Sequence, residues 1–231
     1  MNVTEAIAKI LAEEGVEYLF GFPSNPLFDT GAAEEAGIRT IIVRQERTGV
    51  HLADAIGRMN SGDQIAAFAC QHGPGTENAI GGVAQAYGES APLVAIPRGY
   101  DRSKSGVDPK WSSYLTYREV SKSCEQLSDP EGVEEQLRRA FSNAKSGRPR
   151  PSVVEVPMDF PYDLDADRVI DRMGPDTGAV MLCSPSNPTG RVVPPAVVER
   201  VVEAAADHDA FVIADEVYRS LTYGETPPRA A

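Results

Sequence analysis

The sequence predicts an α/β fold: a three-layer parallel sheet with helices on both faces, followed by a small, incomplete α/β segment. Over the first 160 residues, short apolar runs alternate with segments whose apolar residues recur at helical spacing. The runs are apolar throughout, which suits strands buried on both faces of a parallel sheet. Turns bearing glycine or proline follow several of them, where a strand would hand over to a helix.

Taken in order, Ala6, Ile7, Ile10 and Leu11 repeat at helical spacing, with Thr4 as the expected cap and Gly15 as the stop. Tyr18–Phe22 reads as a short buried strand ending at Pro23, and a helix is expected over Pro26–Ala36, closed by Gly37. The apolar run Ile38–Val43 is a strand that leads into Glu46 and a helix through Met59. Ile65–Cys70 is a strand, and Pro74–Tyr87 a helix behind a glycine-rich turn. Leu93–Ile96 and Val153–Val156 complete the strands, with a helix near Glu131–Ala144 between them. Residues 97–118 are polar and without period, the signature of a functional or mobile loop. Asp159–Asp176 is rich in Asp and Pro and carries no apolar stripe, so the domain boundary falls there, giving domains 1–165 and 166–231. Ala179–Leu182 and Phe211–Ala214 then read as strands around an amphipathic helix at Pro194–His208.

A content of 42% hydrophobic and 24% charged residues suits a soluble protein with a sizeable core. The net charge of −12 argues against nucleic acid or an anionic membrane as partner. Cys70, Cys124 and Cys183 lie far apart without a CxxC pair, which fits buried thiols in a reducing cytosol rather than disulfides or a zinc site. Glu5, Glu13, Glu14 and Glu17 exclude a signal peptide within the first 20 residues, and no apolar run approaches bilayer length. A cytoplasmic protein is expected.

In an open parallel sheet, ligands bind beyond the carboxyl ends of the strands. Glu46 and the turn Gln71–Asn78 both fall on that edge. Glu46 stands between Arg44 and Arg47 at the mouth of its helix, where a carboxylate feels the helix dipole. Gly73-Pro74-Gly75 lets the backbone approach a ring closely. Alone, a glutamate between two arginines is most often a solvated ion pair. His72 reads equally as a substrate-facing acid/base and as a turn histidine bonded to backbone, and His51 as packing.

The combination is more specific. Gly21-Phe22-Pro23, Arg44-Gln45-Glu46, His51-Leu52-Ala53-Asp54, Gly73-Pro74-Gly75-Thr76-Glu77-Asn78, Ser90-Ala91-Pro92-Leu93, Gly147-Arg148-Pro149 and Val154-Glu155-Val156-Pro157 follow one another in sequence. In this string, residues 1–165 resemble the amino-terminal, pyrimidine-binding domain of thiamine diphosphate enzymes of the acetolactate synthase and benzoylformate decarboxylase group. The resemblance implies that Glu46 hydrogen-bonds the pyrimidine nitrogen opposite the amino group, favouring the imino tautomer that takes the thiazolium proton. It implies that Gly73, Pro74, Gly75 and Asn78 shape the pyrimidine pocket. The cofactor supplies the difficult chemistry and the protein supplies position and electrostatics. Asp108-Pro109-Lys110-Trp111-Ser112 departs from the family, which commonly carries a Phe-Gln pair there. The diphosphate and its Mg2+ are expected from a separate domain carrying a Gly-Asp-Gly motif that these residues lack.

Residues 177–231 resemble part of the large domain of a fold-type I, pyridoxal-phosphate-dependent class I/II aminotransferase. The resemblance rests on Ser184-Pro185-Ser186-Asn187-Pro188-Thr189-Gly190 and Asp215-Glu216-Val217-Tyr218, with Asn187 and Asp215 separated by 28 residues. It implies that Asn187 and Tyr218 bond the cofactor's phenolic oxygen and that Asp215 pairs with the pyridinium nitrogen. All five lysines precede residue 146, so the family's Schiff-base lysine is missing and the site is expected to be vestigial. A segment of this size without its own core would expose Val197, Val198, Val201 and Val202.

The expected function is thiamine diphosphate binding as half of a 2-oxo-acid decarboxylase or carboligase, in a homodimer or with a separate diphosphate-binding subunit. The alternatives are a binding or regulatory module without catalysis and an aminotransferase-related fragment.

Overall fold

Asn2 opens the first helix, α1 (Val3–Glu13), through a reciprocal cap. Its side chain accepts the Glu5 N–H at 2.9 Å, and the Glu5 carboxylate accepts the Asn2 N–H at 3.1 Å. Thr4, expected as the cap, is instead buried inside the first turn. The helix closes as anticipated at Gly15, whose N–H reaches Ala12 O while Val16 N–H reaches Leu11 O, both at 3.0 Å.

These features belong to a computed structural model describing residues 2–104, 107, 110–160, 166–171, 173–185 and 192–221. The chain divides into two units, Met1–Tyr162 and Asp163–Ala231. No helix among the described residues is long and apolar enough to cross a membrane.

In the first unit, β1 (Tyr18–Gly21) is followed by two short helices, α2 (Pro26–Asp29) and α3 (Ala32–Glu35), where the periodicity suggested one. Gly31 separates them at φ 65°, a left-handed conformation that interrupts helical hydrogen bonding. The periodicity survives because Leu27, Ala32 and Ala33 still enter one core. The next elements are β2 (Arg39–Ile42), α4 (Glu46–Met59), β3 (Ala67–Cys70), α5 (Pro74–Glu89) and β4 (Val94–Gly99). The polar stretch after β4 contains α6 (Ser113–Tyr117), capped by the Ser112 side chain. Then come β5 (Ser123–Gln126), α7 (Val133–Lys145) and β6 (Ser152–Pro157). The sequence did not suggest β5, because Ser-Cys-Glu-Gln is half-buried at the sheet edge and carries no apolar run.

The six strands are parallel in the order β2-β1-β3-β4-β6-β5. Between β1 and β3 the winding reverses, so the carboxyl-edge crevice opens beside Gly21 and Cys70. Alternation along β3 feeds two cores. Ala67 and Ala69 join Leu11, Leu19, Leu137 and Phe141 on one face, and Phe68 and Cys70 join Val50, Val83, Leu93 and Tyr117 on the other.

In the second unit, α8 (Ala166–Ile170), β7 (Ala179–Cys183), α9 (Pro195–Asp207) and β8 (Phe211–Asp215) build a parallel two-stranded sheet with a helix on one face. The absence of an apolar stripe before residue 176 did not prevent α8, whose Val169 and Ile170 pack against a small core of Met173, Leu182, Val201 and Ala205. The expected exposure of the valines is corrected in part: Val201 is fully buried, and Val197 and Val198 are partly covered. The bare surface is the other face of the sheet, where Met181 is 65% and Phe211 79% exposed.

Two consequences are testable. A Cβ at Gly21 would lie 2.0 Å from the Ala69 carbonyl oxygen and 2.7 Å from the Phe28 ring. Gly21→Ala is therefore expected to cost about 3 kcal/mol or more, read as a lowered midpoint in urea unfolding. Glu155, buried on β6, accepts Gln126 Nε2 at 2.6 Å and the Tyr114 N–H of α6 at 3.1 Å. Burial nevertheless pushes its carboxyl above the ordinary value of 4.5. Between that value and the raised one, the folded chain holds more proton at Glu155 than the unfolded chain does. Its contribution to stability thus grows as pH falls through that window. Thermal unfolding of wild type and Glu155→Gln should show wild type gaining on the variant as pH falls from neutral towards the ordinary carboxyl value of 4.5, and an unchanging difference would refute this.

Candidate functional site

Glu46 is the first residue of α4 and only 8% exposed, an uncommon burial for a carboxylate. It reaches this position because β2 ends close to the switch point and α4 begins at once, aiming its N-terminus across the end of β3. Asn78 Nδ2 donates to Glu46 Oε2 at 2.5 Å. Neither Arg44 nor Arg47 forms an ion pair with Glu46 among the described residues, so the solvated-pair reading fails. Arg47 lies instead along Gly81 of α5, with its Nε 3.4 Å from where a Cβ would stand.

The turn between β3 and α5 supplies the opposite wall. Gly73, at φ 59° and ψ −116°, occupies a conformation that an L side chain rarely adopts. Pro74 takes the first helical position, where its missing N–H costs nothing. The Thr76 hydroxyl and the Glu77 N–H both donate to Gly73 O, at 2.7 and 2.9 Å. A Cβ at Gly75 would lie 3.3 Å from Glu46 Oε1 and 2.7 Å from Gln71 Cγ, so only glycine lets the turn come this close to Glu46 and Gln71. Glu46, Gly73, Pro74, Gly75 and Asn78, all singled out in the sequence, are thus brought together.

Residues that the sequence did not single out hold this arrangement. Asn25 Nδ2 donates to Cys70 O at 3.1 Å and Ile96 O at 3.2 Å, tying together the ends of β3 and β4. The Ser-Asn-Pro at the start of α2 was the available signal, since Asn is a favoured cap before a helical Pro. Tyr117, fully buried, donates its hydroxyl to Thr76 O at 2.6 Å and meets Trp111 edge-on at 6.2 Å. Burial pushes the Cys70 thiol well above its ordinary value, and the Glu46 charge adds to this, so Cys70 is an inert floor. Cys124 and Cys183 are half-buried rather than buried, and all three thiols are free.

His72 meets Tyr100 edge-on, ring centres 4.7 Å apart, and its Nδ1 is shielded with no hydrogen-bond partner among the described residues. Burial and the charges of Arg98 and Lys110 lower its pKa, with Asp101 opposing, so the ring is neutral at pH 7. His51 is half-buried in α4.

In the second unit, Asp215 ends β8. Its Oδ1 accepts the Val217 N–H at 3.2 Å, and its Oδ2 lies 3.8 Å from Cys183 Sγ. Tyr218 is 38% exposed. Asn187 lies outside the described residues.

Residues 1–126 match the family described as thiamine pyrophosphate enzyme, N-terminal TPP binding domain, and residues 141–231 match aminotransferase class I and II. The second match begins inside α7 and includes β6, which belong to the six-stranded sheet of the first unit. Similar proteins include the acetolactate synthase large subunit of Haemophilus influenzae, 34% identical over 71% of this chain and 30% of its own length. The isozyme 3 large subunit of Escherichia coli is 33% identical over 69% of this chain and 28% of its own length. A probable acetolactate synthase large subunit of Methanocaldococcus jannaschii is 30% identical over 69% of this chain and 27% of its own length. The chain therefore spans about three-tenths of the curated relatives it matches.

The Tyr117 hydroxyl is the one polar tie from α6 to the first turn of α5 among the described residues. Tyr117→Phe should cost about 1 kcal/mol in chemical unfolding, and an unchanged stability would show that the tie contributes nothing.

Proposed function

Because the chain belongs to the thiamine pyrophosphate enzymes through an N-terminal TPP binding domain, we propose that Glu46 is the residue that recognises the cofactor's pyrimidine. The observation that carries this reading is the division of labour between its two carboxylate oxygens. Oε2 is held by Asn78, and Oε1 lies against Gly75 of the two-glycine turn, with no hydrogen-bond donor to it among the described residues. A flat heteroaromatic ring with a nitrogen at its edge fits such a slot, since the glycine turn admits the ring and the carboxylate shares a proton with the nitrogen. The residues present therefore fit the pyrimidine part of thiamine diphosphate.

In this reading Gly73, Pro74 and Gly75 form the wall along the ring. Asn78 keeps the carboxylate from rotating, and the buried floor of Cys70 and Phe68 excludes water from its lower side. Glu46 holds the proton at Oε1 against the ring nitrogen, in surroundings where a hydrogen bond is stronger than in water. Once bound, the thiazolium part of the cofactor would supply the electron sink that 2-oxo-acid decarboxylation and carboligation require.

Residues 1–165 are thus proposed as the pyrimidine half of an acetolactate synthase-like enzyme acting on small 2-oxo acids. A diphosphate- and Mg2+-binding domain, in a second copy or another subunit, would complete the site. The relatives' designation as large subunits supports assembly with other chains. Three free thiols support a reducing, cytoplasmic setting. Residues 166–231 are proposed as an aminotransferase-like segment whose Asp215 and Tyr218 serve no pyridoxal phosphate in this chain.

Titration calorimetry of the full chain with thiamine diphosphate and Mg2+ tests the assignment. Glu46→Gln removes a charge-assisted hydrogen bond worth about 1.5–3 kcal/mol, so the affinity should fall by roughly 10- to 100-fold. Equal binding by the two proteins would remove Glu46 from the ring-nitrogen role.

A further inference from the structure

The carboxyl edge carries a second cluster that the pyrimidine reading does not use. Tyr100 follows β4 directly, and its hydroxyl lies 3.3 Å from the position a Cβ would take on Gly73. Glu46 stands at the same distance from the corresponding position on Gly75. The two groups therefore flank a single turn, two residues apart. One face of the cluster is His72, edge-on to the Tyr100 ring, and another is Lys110, whose Nζ sits 4.5 Å from that ring's centre.

The charges here are unbalanced in an unusual direction. The chain has 34 acidic residues against 22 basic ones, yet Lys110 has an aromatic face and no carboxylate partner among the described residues. The nearby carboxylates are occupied: Asp101 pairs with Lys104 at 2.6 Å, and Asp159 with Arg102 at 2.8 Å. Lys110 is also placed rather than loose, because the next residue, Trp111, packs on Tyr117, which bonds to the first turn of α5. A cation–π contact leaves most of an ammonium's hydrogen-bonding capacity open.

We propose that Lys110 and the Tyr100 hydroxyl form a carboxylate subsite beside the Gly73 turn, which takes the acid group of a small 2-oxo acid and sets its keto carbon towards the pyrimidine slot. This assignment of the carboxylate rests on the thiamine reading above. Lys110 supplies the charge and Tyr100 a directional donor. Both are specificity-determining in this role, because a neutral carbonyl compound would leave the ammonium unneutralised.

His72 reports on the subsite, because Lys110 is one of the charges that depress it, together with Arg98 and against Asp101. The full chain, without thiamine diphosphate, is titrated with pyruvate while the ring proton signals of His51, His72 and His208 are followed by NMR; loss of one signal in His72→Gln identifies it. Pyruvate should raise the His72 midpoint by about half a pH unit and saturate in the millimolar range. Lys110→Met should raise that midpoint without any probe and abolish the pyruvate response, and Lys110→Arg should retain the response. The proposal is overturned if pyruvate leaves His72 unmoved or if Lys110→Met still responds. It is equally overturned if neutral methyl pyruvate or inorganic phosphate shifts His72 as far as pyruvate does. With no cofactor present, such a failure leaves the Glu46 calorimetry standing, and failure of that calorimetry leaves the His72 titration to be read by itself.

Discussion

The bond from Asn78 to Glu46 is the contact around which the first unit is arranged. A buried carboxylate is costly unless donors meet it. Here one donor comes from α5, and the N-terminus of α4 adds its dipole from behind. For the bond to form at 2.5 Å, the two helices must lie close along their length. Glycines make that approach: a Cβ at Gly82 would meet Val50 at 2.9 Å, and one at Gly49 would meet Phe68 at the same distance. The packing of α4 and α5 against the sheet thus places the site, and the site in turn explains why those helices present glycine where larger apolar residues would bury more surface.

The second unit obeys a different constraint. Parallel strands are normally covered on both faces. β7 and β8 have α9 on one face, and on the other Met181, Phe211 and Ile213 face outwards. Among the described residues its core cluster holds four buried side chains, against two extended clusters in the first unit. The match to the aminotransferases includes this half-covered sheet and the strand-turn sequence around Asp215. Asp215 spends one oxygen on the neighbouring Val217 N–H, a local turn bond that such a strand end forms with or without a ligand.

Legibility followed the range of the interactions. β1, β3, β4 and β6 were readable because strands in the middle of the sheet carry consecutive buried apolar residues, and the edge strand β2 was readable through Ile41 and Ile42. β5 was not, because this other edge strand, Ser-Cys-Glu-Gln, is half-buried throughout and carries no apolar run. The single helix expected over 26–36 became two, since one left-handed glycine outweighs a periodicity that only reports which side chains enter the core. Thr4 yielded its capping role to Asn2 because the reciprocal bond with Glu5 satisfies two backbone donors where a lone hydroxyl satisfies one.

For the candidate site, the sequence by itself singled out the carboxylate, the two-glycine turn and the asparagine, because a glycine at a left-handed turn directly after a strand and before a helical proline is a local signal. It also determined the alternation that sets both motifs on one edge of a parallel sheet. Only the tertiary structure decided that Asn78, rather than either flanking arginine, holds Glu46, and that Tyr117 and Asn25 brace the turn from segments 41 and 45 residues away in sequence. It alone set Lys110 on the Tyr100 ring beside His72. These contacts depend on where loops from separate strands arrive at the sheet edge, a quantity fixed by strand order and helix packing and carried by no local stretch of sequence.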